Sequence, residues 1–272
     1  MTVEPIEELI RKALSAGLAV VVILAGPAAA PTSSGPSAAT TTMTPRPSPS
    51  TAPTSEGPTA AATYGWGAPN REDDFDRDLS GWGLYDGPGH AGNGKRSPSA
   101  ATVANGVLTI QGDAHGTTAG MAWNNGHGQK YGRWEARVKT PAGDPSYNAL
   151  LLLWPDADNF PTGGELDFME MTDPTRQSTN LFLHHGVGNA QVRGMVTIDA
   201  TQWHNWAVEW SPKRITAYVD GKTWWHTDDA AVLPPGPMHL CVQLDWFPVD
   251  GRAAVAPSQM QVDWVRQYPV RG

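Results

Sequence analysis

The chain is expected to fold as an all-β antiparallel sandwich. Three features carry that expectation: two-residue turn signals between β-branched runs, an alternating ribbon of acids and apolar residues near the middle, and no long amphipathic helical pattern anywhere. Asn105-Gly106 separates Ala101-Thr102-Val103 from Val107-Leu108-Thr109-Ile110, and Asp220-Gly221 separates residues 215–219 from 222–225. Both dipeptides tolerate positive φ, which a tight turn between two right-twisted strands requires.

The elements follow in chain order. Residues 13–30 form an apolar run behind Arg11 and Lys12 and end in Ala28-Ala29-Ala30. The run is short for a membrane span and reads as a secretion signal over residues 1–30, so the product is expected outside the cell or at its wall, with no stable membrane insertion after processing. Residues 31–69 are mostly Pro, Ser, Thr, Ala and Gly. Such a segment buries too little apolar surface to offset chain entropy and is expected to be a disordered tether. The folded domain is expected over residues 70–272, enough chain for one large β domain, and is expected to be a monomer.

The formal net charge is −8 with no basic stripe, which argues against nucleic acid as a partner. The single cysteine, Cys241, lies in an apolar strand pattern and is expected to be a small buried hydrophobe. No Ser-His-Asp signature, Gly-rich phosphate loop or zinc-ligand cluster is apparent.

The chemistry concentrates in Glu165-Leu166-Asp167-Phe168-Met169-Glu170. On a strand, Glu165 and Asp167 share one face and Leu166 and Phe168 the other. Glu170 joins the acids only if the register slips by one residue, as it does if Met169 is the extra residue of a β-bulge. Two Glu carboxyls about 5–5.5 Å apart would suit a glycosidase that retains anomeric configuration. Acids so crowded cannot all stay ionised, and the raised pKa is assigned to Glu170 as general acid/base, with Glu165 as nucleophile and Asp167 orienting it. From spacing alone, a cation site or a solvated acidic face stays open.

The surrounding residues resemble glycoside hydrolase family 16. Gly164-Glu165-Leu166-Asp167 with Glu170 resembles the family's catalytic strand. Tyr131-Gly132-Arg133-Trp134-Glu135-Ala136-Arg137, Leu183-His184, the block from Trp203 to Trp210, Tyr218-Val219-Asp220-Gly221 and Val262-Asp263-Trp264-Val265-Arg266 follow in the family's order. The resemblance covers roughly residues 72–268. It implies a jelly roll with a concave cleft, Glu165 as nucleophile, Asp167 as assisting carboxylate and Glu170 as acid/base. It further implies a secreted, endo-acting, retaining hydrolase of β-1,3 or mixed β-1,3/1,4 glucan. No cofactor is needed for catalysis.

Two departures from the family pattern bear on the sugar: Phe160 stands where a tryptophan is usual, and Gln243-Leu244-Asp245-Trp246-Phe247 replaces a small-residue stretch. Substrate contacts are expected from His184, Trp246, Gln243, Trp123, Asn148 and Phe160. His184 shares a face with Phe182 and Asn180 on a regular strand, while Trp206, Val208 and Trp210 alternate like a buried strand face. The resemblance also allows a structural Ca2+ at Asp263, with Asp74-Phe75-Asp76 as its other edge.

Other readings are a galactan, agar or carrageenan hydrolase, a transglycosylase, a non-catalytic glycan-binding module and a wall adhesin. Sulfated substrates would call for cleft cations, with Arg176, Arg193 and Arg252 as candidates.

Overall fold

A computed structural model describes residues 57–123, 128–249 and 255–270. The secretion signal expected over 1–30, residues 31–56 of the expected tether and Arg252 lie outside them.

Two antiparallel sheets face each other, as expected. The first runs β16 (Lys222–Thr227), β15 (Arg214–Val219), β14 (His204–Ser211), β9 (Gly132–Lys139), β18 (Ser258–Tyr268), β6 (Val107–Gly112) and β5 (Ala101–Ala104). A short strand, β1 (Arg71–Asp73), adds to β18. The second, which carries the acids, runs β13 (Ala190–Thr197), β12 (Ser178–His185), β11 (Glu165–Met171), β10 (Tyr147–Pro155), β17 (Met238–Trp246), β8 (Gly120–Ala122) and β2 (Gly83–Leu84). A small third sheet, β3 (Gly87–Pro88), β4 (Lys95–Arg96) and β7 (Thr117–Thr118), completes the set. Sequence-distant strands such as β10 and β17 lie side by side, as jelly-roll connectivity requires. Both predicted turns form, with Asn105, Gly106, Asp220 and Gly221 all at positive φ.

The core between the sheets follows from alternation. Ala149, Leu151 and Leu153 of β10, with Leu166, Phe168, Met169 and Met171 of β11, meet Trp134, Trp206, Val208 and Trp210 of the first sheet. Each large side chain buried this way contributes roughly 1.5–3 kcal/mol. The opposite face of β10 carries Leu150 and Leu152, which form a small apolar floor with Cys241 under Tyr85. Burial pushes the Cys241 thiol up to about 12, so it behaves as the inert hydrophobe the sequence implied.

Residues 57–69 were expected to lie in the tether. Residues 57–69 are part of the folded domain: a single helical turn, α1 (Ala60–Thr63), is capped by Thr59, and Trp66 is buried with Ala60, Ala207, Tyr218 and Tyr268 on the outer face of the first sheet. Buried Glu135 of β9 accepts from the first helical N–H groups, Ala60 at 2.6 Å and Ala61 at 3.2 Å. The Thr/Ala-rich composition hid this boundary, because the segment is anchored by one indole and by hydrogen bonds to the distant Glu135 and Asn205.

Candidate active site

The acid strand kinks where the chemistry needs it. Against β10, Met169 pairs with Leu151 and Asp167 with Leu152, which leaves Phe168 without a partner. Against β12, Asp167 pairs with Phe182 and Glu170 with Asn180, so Phe168 and Met169 together oppose Leu181. The bulge is therefore present, but by the β10 register its extra residue is Phe168 and not Met169. Both side chains turn into the core. Glu165, Asp167 and Glu170 consequently share the outward face, each opposite one residue of β12: His184, Phe182 and Asn180.

Burial and mutual repulsion set their charge. The Glu165 carboxyl is pushed up to about 8, first by burial, then by Asp245 and Glu170. Burial pushes Glu170 up to about 7 against the hydrogen bond from Asn148. Asp167, 3% exposed, is raised well above the ordinary carboxylate range by burial and by both glutamates. The elevation expected at Glu170 alone thus extends to all three. Asp167 is the most enclosed of them and its Oδ1 has no hydrogen-bond partner, so it is the carboxyl best placed to hold a proton at neutral pH.

Three of the expected substrate contacts lie around the acids and a fourth lies along the cleft floor. Asn148 Nδ2 donates to Glu170 Oε1 at 2.8 Å. His184 Nε2 is 3.5 Å from Asp167 Oδ2. The Phe160 ring lies 5.6 Å from that of His184 and stacks on Trp154 at 5.4 Å, giving the cleft an aromatic wall. Gln243 faces the cleft and accepts from Arg96.

Trp123 and Trp246 do not belong to the cleft. Trp123 is core, stacked on Trp82 at 5.2 Å with the Arg71 guanidinium 4.1 Å from its ring centroid. Trp246 has the opposite parity from Gln243 and Asp245 on β17 and packs on the bare backbone of Gly94 and Gly116, where a Cβ would come within 2.6 and 2.2 Å of the indole.

Sequence reasoning missed the pair beside Gln243. Asp245, 3% exposed, accepts from Arg96 at 2.7 Å and lies 3.7 Å from His90. Asp245 was legible by parity, being two residues from Gln243. Arg96 was not, because it arrives on β4 from far away in the chain.

The expected metal position also reads differently. Asp263 pairs with Arg137 at 2.5 Å, and Asp74, across the same hollow, pairs with Arg266 at 3.1 Å. Each of these two carboxylates is thus paired with a guanidinium, and Asp76 lines the same hollow. Arg176 is no cleft cation either. It is fully buried and donates to the carbonyls of Met171, Tyr147 and Asp173, tying the end of β11 to the start of β10. Arg193 is exposed at the cleft edge, with its guanidinium 5.5 Å from the Phe182 ring centroid.

Comparison with known proteins agrees with this layout. The family model described as glycosyl hydrolases family 16 matches residues 93–266. A beta-glucanase of Rhodothermus marinus is 26% identical over 200 residues, covering 62% of this chain and 70% of that one. Glucan endo-1,3-beta-glucosidase A1 of Niallia circulans is 31% identical over 169 residues, 51% of this chain but only 24% of its own length. The fold resembles that of the laminarinase catalytic domain of Thermotoga maritima, with a TM-score of 0.66 at 22% identity, covering 75% of this chain and 99% of that one.

Proposed function

The chain belongs to glycosyl hydrolase family 16, and from that premise we propose that it is an endo-acting, retaining β-glucanase that cuts internal β-1,3 or mixed β-1,3/1,4 bonds. The observation that carries this reading is the bulge at Phe168–Met169, which turns Glu165 and Glu170 onto one face with Asp167 between them. Binding alone gives no reason to bury three repelling carboxyls together, which disfavours a non-catalytic module.

Glu165 attacks the anomeric carbon as a carboxylate, and Glu170 gives its proton to the departing glycosidic oxygen. Water then cleaves the glycosyl ester with Glu170 as base. Asp167, holding a proton, spares Glu165 a second adjacent negative charge. Asn148 fixes the Glu170 carboxyl through its hydrogen bond. Arg96 is the cation that favours ionised Glu165, opposing Asp245 and Glu170.

The preference for neutral glucan over sulfated galactan is supported by two of the cations, Arg96 being spent on Asp245 and Gln243 and Arg176 on backbone carbonyls, which leaves Arg193 alone at the cleft edge among the described residues. The names of the relatives, beta-glucanase and glucan endo-1,3-beta-glucosidase, point the same way. The apolar run at residues 13–30 supports export, and the chain is read as a monomer.

The test is digestion of laminarin, lichenan, agarose and carrageenan, with the anomer of the first product followed by NMR. Laminarin or lichenan should yield oligosaccharides that appear first as the β-anomer. A first-formed α-anomer would overturn the retaining mechanism, and release from carrageenan alone would overturn the substrate.

A further inference from the structure

We infer that Glu165, Asp167 and His184 form a site for a divalent transition-metal ion of the zinc type, one that excludes substrate by occupying the nucleophile. One donor atom from each of the three lies within 4.8 Å of the other two. The inference goes beyond the hydrolase reading and stands on donor geometry, whatever the polysaccharide.

The first observation is the state of the His184 ring. Its Nδ1 lies 2.7 Å from Asn189 Oδ1, a carbonyl oxygen that can only accept, so Nδ1 carries the hydrogen and Nε2 the lone pair. The amide nitrogen of Gln191 is 3.4 Å from Nδ1 and 3.3 Å from Nε2. Nearly equidistant, it is aligned with neither lone pair. Nε2 therefore presents its lone pair to the Asp167 carboxyl, with Oδ2 at 3.5 Å. A histidine that donates one N–H to an oxygen and presents the other nitrogen to a carboxylate is arranged as metal-binding histidines are.

The second observation is independent of the ring. Asp167 is 3% exposed and its other oxygen, Oδ1, is buried with no hydrogen-bond partner. A proton relieves such a group in the free enzyme, and a cation can take its place. Geometry allows the cation: a tetrahedral zinc ion with bonds of 2.0–2.2 Å has donor-to-donor edges of about 3.3–3.6 Å. The 3.5 Å separation of Asp167 and His184 matches such an edge. Glu165, the long third arm, closes its side by rotation, and the fourth position opens to the cleft. One nitrogen and two carboxylate donors suit zinc or copper better than calcium or magnesium. Binding replaces a proton shared by the acids: the ion enters, its bonds to Glu165, Asp167 and His184 form, and one proton leaves to solvent.

Isothermal titration of tag-free protein with Zn2+ near neutral pH, in two buffers of different ionisation enthalpy, tests this without substrate. One ion per chain with proton release is expected, at least tenfold weaker in His184→Gln and in Asp167→Asn, and unchanged within twofold in His226→Gln, at an exposed histidine on β16. Each variant is checked for an unaltered melt, and Co2+ replaces Zn2+ in a second titration that reads the visible band of a tetrahedral site. No binding to the wild type, or equal binding to His184→Gln, overturns the inference. Failure of the hydrolase reading would appear separately, as an absence of products from any polysaccharide in metal-free buffer.

Discussion

On the outer face of the first sheet, Glu209 pairs with Arg133 at 2.8 Å, Asp263 pairs with Arg137 at 2.5 Å, and Glu135 accepts two N–H groups. At the turn beside that face, burial raises the Asp220 carboxyl, but hydrogen bonds from His204 and the Asn205 N–H outweigh it and hold the group below its ordinary value. On the cleft face of the second sheet, Glu165, Asp167 and Glu170 are all raised, although Asn148 donates to Glu170 and Arg96 opposes the rise at Glu165. The same residue types in one domain thus follow two rules. Where hydrogen bonds from a neighbouring side chain and an N–H outweigh burial, as at Asp220, the carboxyl is held below its ordinary value. Where they are crowded together and enclosed, they hold protons ready for transfer.

The comparison breaks most visibly at Glu165. Glu165→Gln should lower turnover by on the order of 10⁴ or more, because the covalent step loses its nucleophile. Its melting temperature should not fall, since the substitution removes repulsion and leaves volume unchanged. A reducing-sugar assay beside a thermal melt reads both quantities. A melt several degrees lower would show that Glu165 supports the fold and would erase the distinction between the faces.

Arg96 is where the two rules meet, so Arg96→Met should be the next largest effect. It leaves Asp245 buried without its cation, and breaking a buried pair in this way costs about 3–5 kcal/mol. It also withdraws the charge that opposes the rise at Glu165. The Glu165 pKa should then climb further, and since Glu165 attacks only when ionised, the acid-side limb of the kcat/KM profile should move to higher pH. A destabilised variant with an unmoved limb would make Arg96 structural only.

How much of this could be read from the chain depended on how local each signal was. The Asn105-Gly106 and Asp220-Gly221 turns, the buried parity of Trp206 and Trp210, and the one-face grouping of the acids are set by residues within a few positions of one another. All of them appear in the structure. Trp246 was misplaced although the same parity rule, applied from Gln243, turns it to the other face. Trp123 follows a three-residue strand, too short to show an alternation, and its place is decided by Trp82 and Arg71. Arg96 and the anchoring of residues 57–69 through Trp66 and Glu135 depend on long-range pairing, which composition does not encode.

Glu135 sharpens the contrast from the other side, because its partners are N–H dipoles and not a cation. Burial outweighs them and pushes the carboxyl up to about 7. A group with a folded pKa above its unfolded value gives stability that is fully present below about 4.5 and is lost as pH rises through about 7. Glu135→Gln should therefore match the wild type near pH 4 and gain on it by roughly 1–3 kcal/mol by pH 8, with turnover unchanged. Denaturant melts at the two pH values measure the difference. A constant gap would mean that the N–H groups of Ala60 and Ala61 neutralise Glu135 as fully as arginines neutralise Asp263 and Glu209.

The smallest expected effect is that of chelation. If Arg137 and Arg266 supply the counter-charge for Asp263 and Asp74, no divalent ion is needed on the outer face. A structural ion present at a hundred times its Kd would add about 2.7 kcal/mol. In a domain of this size that stability corresponds to roughly 5–10 °C in melting temperature. Treatment with EDTA should instead move the melt by less than about 1 °C, well inside that bound. A drop of several degrees, restored by Ca2+ and not by Zn2+, would show that an ion displaces Arg137 from Asp263. The outer face would then owe part of its compensation to solution and not to its own side chains.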